Sequence, residues 1–427
     1  MHEHSLTSFA DALQTLKILN EAGFSAMFAG GCVRDRILKV IPKDFDIASI
    51  ATPDEASELF NSKGYRVIPT GIEHGTITVV TNSGPVEITT LRRDVSTDGR
   101  HAVVDFKGAT FETDAARRDF TINALFEDEK GEIHDFHHGL ADISNRKLRF
   151  VGAPDLRIQE DYLRILRFFR FWSRLDFSAD TAALAAIKTH ATGLKKISQE
   201  RITSELWGIL SSPHAGVPLA SMFDSGVLEV ILPQSVKLAH NHRVILIDGE
   251  SLPPTVRPWA QLCILLGVID KKIWTKPQIN DLTKKLRFSD RQSKLLSDIL
   301  VGWQSLNSIP RKTSACLEFA AEIEHHGKEF TLLDFFAPLW SFFAKHANDT
   351  TSQDRLGWLV STDVSFGERR RMPLPISGHD VTITCPNASG PMVGEALTKA
   401  KHAFYDGDWH TREEGLKFLA KIGLNKG

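Results

Sequence analysis

The 427 residues exceed one ordinary domain and suit two or three with real cores; a formal net charge of −2 means that a nucleic-acid partner is met by local basic patches, not by a bulk positive field. Four cysteines, Cys32, Cys263, Cys316 and Cys385, stand far apart, which argues against a disulfide framework and a structural zinc site and implies a reducing compartment. The N-terminus lacks a charged-then-apolar secretory pattern and the longest apolar runs, such as 262–269, are too short to span a bilayer, so the expected location is cytoplasmic.

Residues 7–20 place Phe9, Leu13, Leu16 and Leu19 at helical spacing, a helix expected to pack on the edge of the first domain. The apolar run 26–29 reads as a buried strand ending in Gly30 and Gly31, which let backbone approach a ligand closely. A helix beginning near Val33 aims its first amides over those glycines, an arrangement that suits an anion. Asp44 and Asp46 stand at i and i+2 in a segment of strand character, so both carboxylates project from one face. Paired carboxylates repel unless a cation lies between them, and oxygen ligands left partly unsaturated suit Mg²⁺ held together with substrate phosphates. A Gly-Gly turn or an Asp-x-Asp strand end alone is usually structural; their adjacency in one strand, turn, helix, strand unit points to metal-assisted phosphoryl chemistry on a nucleotide.

A helix is expected from Pro53 to about Ser62, and strands over 65–68, 75–81 and 86–90, giving an α/β domain around a small sheet. Glu87 is a candidate third metal carboxylate or a plain surface glutamate. Residues 92–105 are polar and charged without periodicity, and read as a mobile loop. In the run 117–125, Arg117 and Arg118 followed by Asp119 can hold a triphosphate and a ribose at once; taken alone, a solvated charge run at a helix start is the simpler reading. A hairpin follows around Gly131, then a hinge-like loop over 135–142. His134, His137 and His138 read as surface histidines, since no i, i+4 pair or cysteine partner supports a metal.

From Pro154 the pattern changes to long amphipathic helices, which places a boundary near residue 150. Residues 158–172 read as one helix with Leu163, Leu166 and Phe169 on its apolar face, while Asp161, Arg164, Arg167 and Arg170 follow at three-residue steps, pairing Asp161 with Arg164 at i, i+3. Lys195 and Lys196 precede a helix over 202–210. Pro253, Pro254 and Pro258 punctuate a linker, and Lys284, Lys285 and Arg287 form a basic patch suited, like Lys195 and Lys196, to a phosphate backbone. Arg369 to Arg371 precede a Pro- and Gly-rich stretch over 373–391, and a last helical segment covers 393–422.

Together, Gly30-Gly31-x-Val33-Arg34-Asp35, Asp44-x-Asp46, the run Arg117 to Ala124, Gly139-Leu140-x-Asp142, Glu160-Asp161-x-x-Arg164-x-x-Arg167 and Ser198-x-Glu200-Arg201 resemble, in order and spacing, the motif series of class II tRNA nucleotidyltransferases, the CCA-adding enzymes and their poly(A) polymerase relatives. The resemblance covers the first half of the chain. It implies an α/β nucleotidyltransferase head with a small mixed sheet over 1–150, then an all-α neck (151–215), body (216–370) and tail (371–427). It further implies Asp44 and Asp46 as catalytic metal ligands, Gly31 and Arg34 at the triphosphate, Arg118 and Asp119 at phosphates and ribose, and Asp161, Arg164, Arg167 and Arg170 at base and triphosphate. The implied cofactor is Mg²⁺, and the implied substrates are the tRNA 3′ end with CTP and ATP; no membrane and no stable protein partner are expected.

Tyr162 stands where many members have proline. The Gly-Arg-Arg-Phe type segment expected of poly(A) polymerases is replaced by the run Gly71 to Ile77, which favours CCA addition. Enzymes adding only CC or only A and a poly(A) polymerase are the alternatives within the resemblance. Outside it stands a non-catalytic RNA-binding protein on the same head, opposed by the presence of Asp44 and Asp46.

Overall fold

The computed structural model describes residues 2–97, 102–106, 108–233, 246, 251–268, 273–309, 335–371, 374–386, 388 and 390–422. Cys316 lies outside them. The chain forms two compact units, Met1–Pro233 and Gln234–Gly427.

The first unit runs α1 (His2–Glu21), β1 (Ala26–Ala29), α2 (Gly31–Ile37), β2 (Phe45–Ser49), α3 (Pro53–Ser62), β3 (Arg66–Gly71), β4 (Thr76–Val80), β5 (Pro85–Thr90), β6 (Arg93–Thr97) and β7 (Ala102–Asp105). It continues with α4 (Phe111–Ala116), β8 (Leu125–Glu127), β9 (Ile133–Asp135), α5 (Gly139–Ser144), α6 (Pro154–Glu160), α7 (Arg164–Leu175), α8 (Thr181–His190) and α9 (Gln199–Ser211). Seven strands form one mixed sheet in the order β3-β4-β5-β2-β1-β8-β9, in which β2 and β5 pair in parallel. The expected α/β head is therefore present. Phe9 of α1 packs on Phe28 of β1 and Phe45 of β2, with ring centroids 5.7–5.9 Å apart, as the helical spacing of residues 7–20 requires. Helix α3 starts where its sequence dictates: Thr52 and Glu55 form a reciprocal cap with Pro53 in the first turn.

Three expectations for the first unit are corrected. Residues 92–105 are not an irregular loop, since β6 and β7 pair antiparallel, with residues 98–101 outside the described set. The register shifts between Asp94 and Ser96, and such a bulge erases the period-two alternation that marks a strand. The loop expected over 135–142 instead ends in α5. Asp135 accepts the amides of His137, Gly139 and Leu140, and a Cβ on Gly139 would lie 2.3 Å from the Thr121 carbonyl oxygen, so this helix is seated tightly on the segment after Asp119. Residues 158–172 are not one helix: the chain turns extended at Asp161 (φ −152°, ψ 107°) between α6 and α7.

Helix α7 buries Ile165, Leu166, Phe168 and Phe169. Phe120 lies 5.1 Å from Phe150 and 5.2 Å from Phe171, and Phe150 stacks on Phe168 at 5.4 Å. Fully burying each such ring is worth about 1.5–3 kcal/mol, and this cluster fixes the residue before Phe120, Asp119, against α7.

The second unit is helical among its described residues, including helices Lys276–Lys285, Asp290–Ser305, Ala337–His346, Gly390–Asp406 and Arg412–Ile422. The last two of these, with the helix Gly378–Thr384 before them, enclose a separate core of Ile376, Val381, Phe404, Trp409 and Leu419. The expected single segment over 393–422 is two helices, parted at Gly407, whose φ of 89° a helix does not accept. Among the described residues no helix is long and apolar enough to cross a membrane.

Candidate active site

A cleft of about 650 Å³ in the first unit gathers Gly30, Gly31 and Arg34 from the turn into α2, Asp44 and Asp46 from β2 and its approach, and Glu87 from β5. Arg117, Arg118, Asp119 and Asn123 join them from the segment after α4, and Asp161, Arg164, Arg167, Arg170, Phe171 and Arg174 from the neck. Every residue expected at a metal or nucleotide thus meets in one place. Gly30 cannot be replaced cheaply: its φ is 75°, and a Cβ would lie 2.7 Å from Arg118 Nη1.

The acids of this cleft divide into two groups. Most are spent on guanidiniums. Asp35 Oδ1 accepts Nε and Nη2 of Arg34 at 2.8 and 2.6 Å, and Asp114 takes Arg117 on one oxygen and Arg118 on the other at 2.6–3.1 Å. Asp119 takes Arg167 at 2.6–2.8 Å, and Glu205 of α9 takes Arg170 at 2.6 Å. Asn123 ties these pairs together, accepting from Arg34 Nη1 at 2.5 Å and donating to Asp119 Oδ1 at 3.2 Å. Burial opposes ionisation of Asp119, but Arg167 and the Asn123 amide hold its carboxyl below the usual range.

Asp44, Asp46 and Glu87 form the second group: among the described residues none has an ion pair. Burial, then the charges of Asp44 and Glu87, push the Asp46 carboxyl up to about 6. Such crowding is relieved by a cation, and an all-oxygen set suits a hard one. Among the described residues no group of three or more His, Cys, Asp or Glu is arranged to hold an ion by itself. Glu87 pairs in register with Asp46 across β2 and β5 and stands as its electrostatic neighbour. Cys32, behind Asp46, has its thiol pushed up to about 12 by burial and is packing.

The break at Asp161 changes how the next two residues are held. Asp161 and Arg164 make no ion pair with each other. Asp161 Oδ1 accepts the Leu163 amide at 3.0 Å and Oδ2 accepts Arg201 at 2.9 Å, a local carboxylate turn that outcompetes continuation of the helix. Arg164 donates to Glu160 at 2.5 Å and to the carbonyls of Arg157 and Arg117 at 2.9 and 3.1 Å. Tyr162 between them is accommodated by Gly193, where a Cβ would lie 2.0 Å from the ring, and Lys196 lies 5.1 Å from the same ring centre.

Sequence reasoning missed Asp114, Arg174 and Glu205, and gave no role to Asp35 and Asn123 although both lie in the quoted motifs. Asp114 stands three and four residues before the arginines it holds, a visible helical spacing; Glu205 is 35 residues from Arg170 and carries no local signal. Lys195 and Lys196 are exposed, as are Lys284, Lys285 and Arg287 in the second unit. His134 and His137 are half-buried, each with a buried, unpartnered Nε2, and only His138 is exposed.

A family model described as "Poly A polymerase head domain" matches residues 26–149, and one described as "Probable RNA and SrmB- binding site of polymerase A" matches 176–238. A zebrafish (Danio rerio) protein named mitochondrial CCA tRNA nucleotidyltransferase 1 is 44% identical over 226 residues, 52% of this chain and 52% of that protein. A Streptococcus pyogenes CCA-adding enzyme is 38% identical over 274 residues, 63% of this chain and 67% of that protein. The chain thus spans about half to two thirds of the length of these curated relatives. The crystal structure of a Bacillus stearothermophilus CCA-adding enzyme in complex with CTP superposes with a TM-score of 0.73 at 27% identity, covering 97% of each chain. In motifs, cleft and fold, this chain belongs to the family of tRNA nucleotidyltransferases and poly(A) polymerases.

Proposed function

We propose that the protein adds C, C and A to the 3′ end of tRNA from CTP and ATP without a nucleic-acid template, by attack of the 3′-hydroxyl on the α-phosphorus with release of pyrophosphate. The observation that carries this reading is the division of the cleft's acids: arginines are held in place by carboxylates, while Asp44, Asp46 and Glu87 make no ion pair among the described residues. Asp44 and Asp46 hold Mg²⁺, which when bound, as two ions in this reading, lowers the pKa of the attacking hydroxyl and neutralises the triphosphate and leaving group.

The other roles belong to the chain's own side chains. Gly31 leaves room for phosphate oxygens beside Arg34, and Arg118, fixed by Asp114, offers its guanidinium edge to the same anion. Arg167 and Arg170 extend that positive wall along α7. Asp161 and Arg164 read the base. Cytosine and adenine share an edge on which an amine donates beside a ring nitrogen that accepts, and uracil and guanine present the reverse. Because the two residues are held by others and not by each other, Asp161 keeps spare lone pairs and Arg164 keeps its Nε–H and one Nη2–H for that edge. Lys195, Lys196, Lys284, Lys285 and Arg287 meet the RNA backbone. The neck, body and tail boundaries at 151, 216 and 371 and the cytoplasmic location belong to the same proposal.

The test is incubation of tRNA lacking its last three nucleotides with CTP, ATP or both, followed by sequencing of the ends. CCA is expected with both. Long A runs with ATP alone identify a poly(A) polymerase, and a stop after CC, or addition of A alone, identifies a specialised enzyme. No addition by protein that still binds tRNA identifies a non-catalytic RNA-binding protein.

A further inference from the structure

We propose that Arg174 is a further triphosphate-binding residue, a fourth guanidinium of α7 facing the cleft; this deepens the nucleotidyl-transfer reading and rests on it. Arg174 lies in the last turn of α7, four residues beyond Arg170, and lines the same cleft as Arg34 and the bare carboxylates. It makes one bond: Nη2 donates to Asp35 Oδ2 at 3.3 Å. That bond is longer than the carboxylate bonds of Arg34, Arg117, Arg118, Arg167 and Arg170. The side chain is 40% exposed where that of Arg34 is 2%.

The sharing of Asp35 explains the placement. The buried carboxylate already balances Arg34 through Oδ1, so Arg174, attached to its second oxygen, leaves two guanidiniums on one acid. Both guanidiniums line the cleft that holds Gly31, and among the described residues Arg174 still has four of its five N–H groups to offer. A guanidinium edge matches two phosphate oxygens at once. As a merely structural feature, the pair would be a long ion pair between a half-exposed arginine at a helix C-terminus and a buried carboxylate that already has a partner.

The experiment titrates the full chain with inorganic tripolyphosphate and with CTP by calorimetry, and measures KM for CTP, ATP and tRNA together with kcat. It compares wild type, Arg174→Ala, Arg174→Lys and Arg174→Gln, the last keeping the aliphatic stem should the alanine variant fold poorly. The expected result for the alanine and glutamine variants is a loss of tripolyphosphate affinity and a rise in KM for both nucleotides, each roughly tenfold or more, as for a lost charge-assisted hydrogen bond. Expected alongside are a kcat within about threefold, an unchanged KM for tRNA and partial recovery with lysine. Unchanged tripolyphosphate affinity, or a rise in KM for tRNA alone, overturns the assignment. Wild-type protein that binds tripolyphosphate through Arg174 but never extends tRNA overturns the activity instead.

Discussion

Asp46 of β2 faces Glu87 of β5 in the register of their parallel pairing, and among the described residues neither makes an ion pair, Arg118 offsetting the crowding of Asp46 only from a distance. With burial and Asp44, this neighbour holds the Asp46 carboxyl up at about 6. A group raised in the folded state stabilises it fully below its ordinary value of 3.8, and that contribution is lost as pH rises through about 6. Asp46→Asn cannot ionise. In metal-free buffer its melting temperature should therefore gain on wild type between about pH 4 and pH 6 and then level off. Added Mg²⁺ should raise the melting point of wild type by mass action and leave that of the variant unmoved. A constant difference across that pH range argues against the crowded site.

For activity, Asp44→Ala or Asp46→Ala should abolish nucleotide addition while tRNA binding stays nearly intact. Addition within about tenfold of wild type would remove these residues as metal ligands, since a lost phosphoryl-transfer metal costs several kcal/mol. Glu87→Gln should cost less than either and lower the Asp46 pKa, read by carbon NMR of the carboxyl. A loss equal to that of Asp46→Ala makes Glu87 a third ligand.

Asp119 has its acceptor capacity nearly filled: the Phe120 amide and Asn123 Nδ2 reach Oδ1, and Arg167 reaches Oδ2 through Nε and Nη2. A ribose hydroxyl must therefore exchange with one of these donors. Asp119→Ala should narrow the preference for ribonucleotides over deoxynucleotides and also raise KM for both by releasing Arg167. A raised KM with an unchanged ratio assigns the residue to holding Arg167 alone.

Asp161→Ala and Arg164→Ala should each relax base selection, raising misincorporation of UTP or GTP relative to CTP and ATP. Sites that leave buried polar groups unpaired discriminate by up to about 10⁴ to 10⁵. Since the residues are anchored separately, through Arg201 and Glu160, their effects on melting temperature should add in the double variant. Unaltered selectivity in both single variants limits them to shaping the turn between α6 and α7.

Salt dependence tests the RNA surface. Each lysine among Lys195, Lys196, Lys284 and Lys285 that meets a phosphate should lower the slope of log K against log salt by roughly 0.7 to 0.9 when replaced by alanine. A slope that does not fall in the fourfold variant puts the RNA path elsewhere.

The strand, turn, helix, strand unit was legible because its signals are local: the apolar run 26–29, two glycines and an alternating strand with Asp46 on its polar side. The break at Asp161 was not, because Leu163, Leu166 and Phe169 keep helical spacing right up to it and the decision falls to a single carboxylate turn completed by Arg201, 40 residues away. The arginines were visible as a stripe, but their being held and not solvated depends on Asp35, Glu205 and Asn123, partners supplied by tertiary packing. Arg174 continued the stripe at i+4 and was within reach of inspection; Glu205 was not.

Two bonds, Arg167 to Asp119 and Arg164 to the Arg117 carbonyl, join α7 to the segment after α4, and Gly139 and the 2.5 Å bond of Thr121 to Asp142 lock that segment from behind. The slot therefore behaves as a gauge of set width: spreading its walls by an ångström strains several short contacts together, whereas a rotamer change strains one. For the proposed activity this means that a purine and a pyrimidine are to be accommodated by turning individual side chains within a frame that keeps its dimensions.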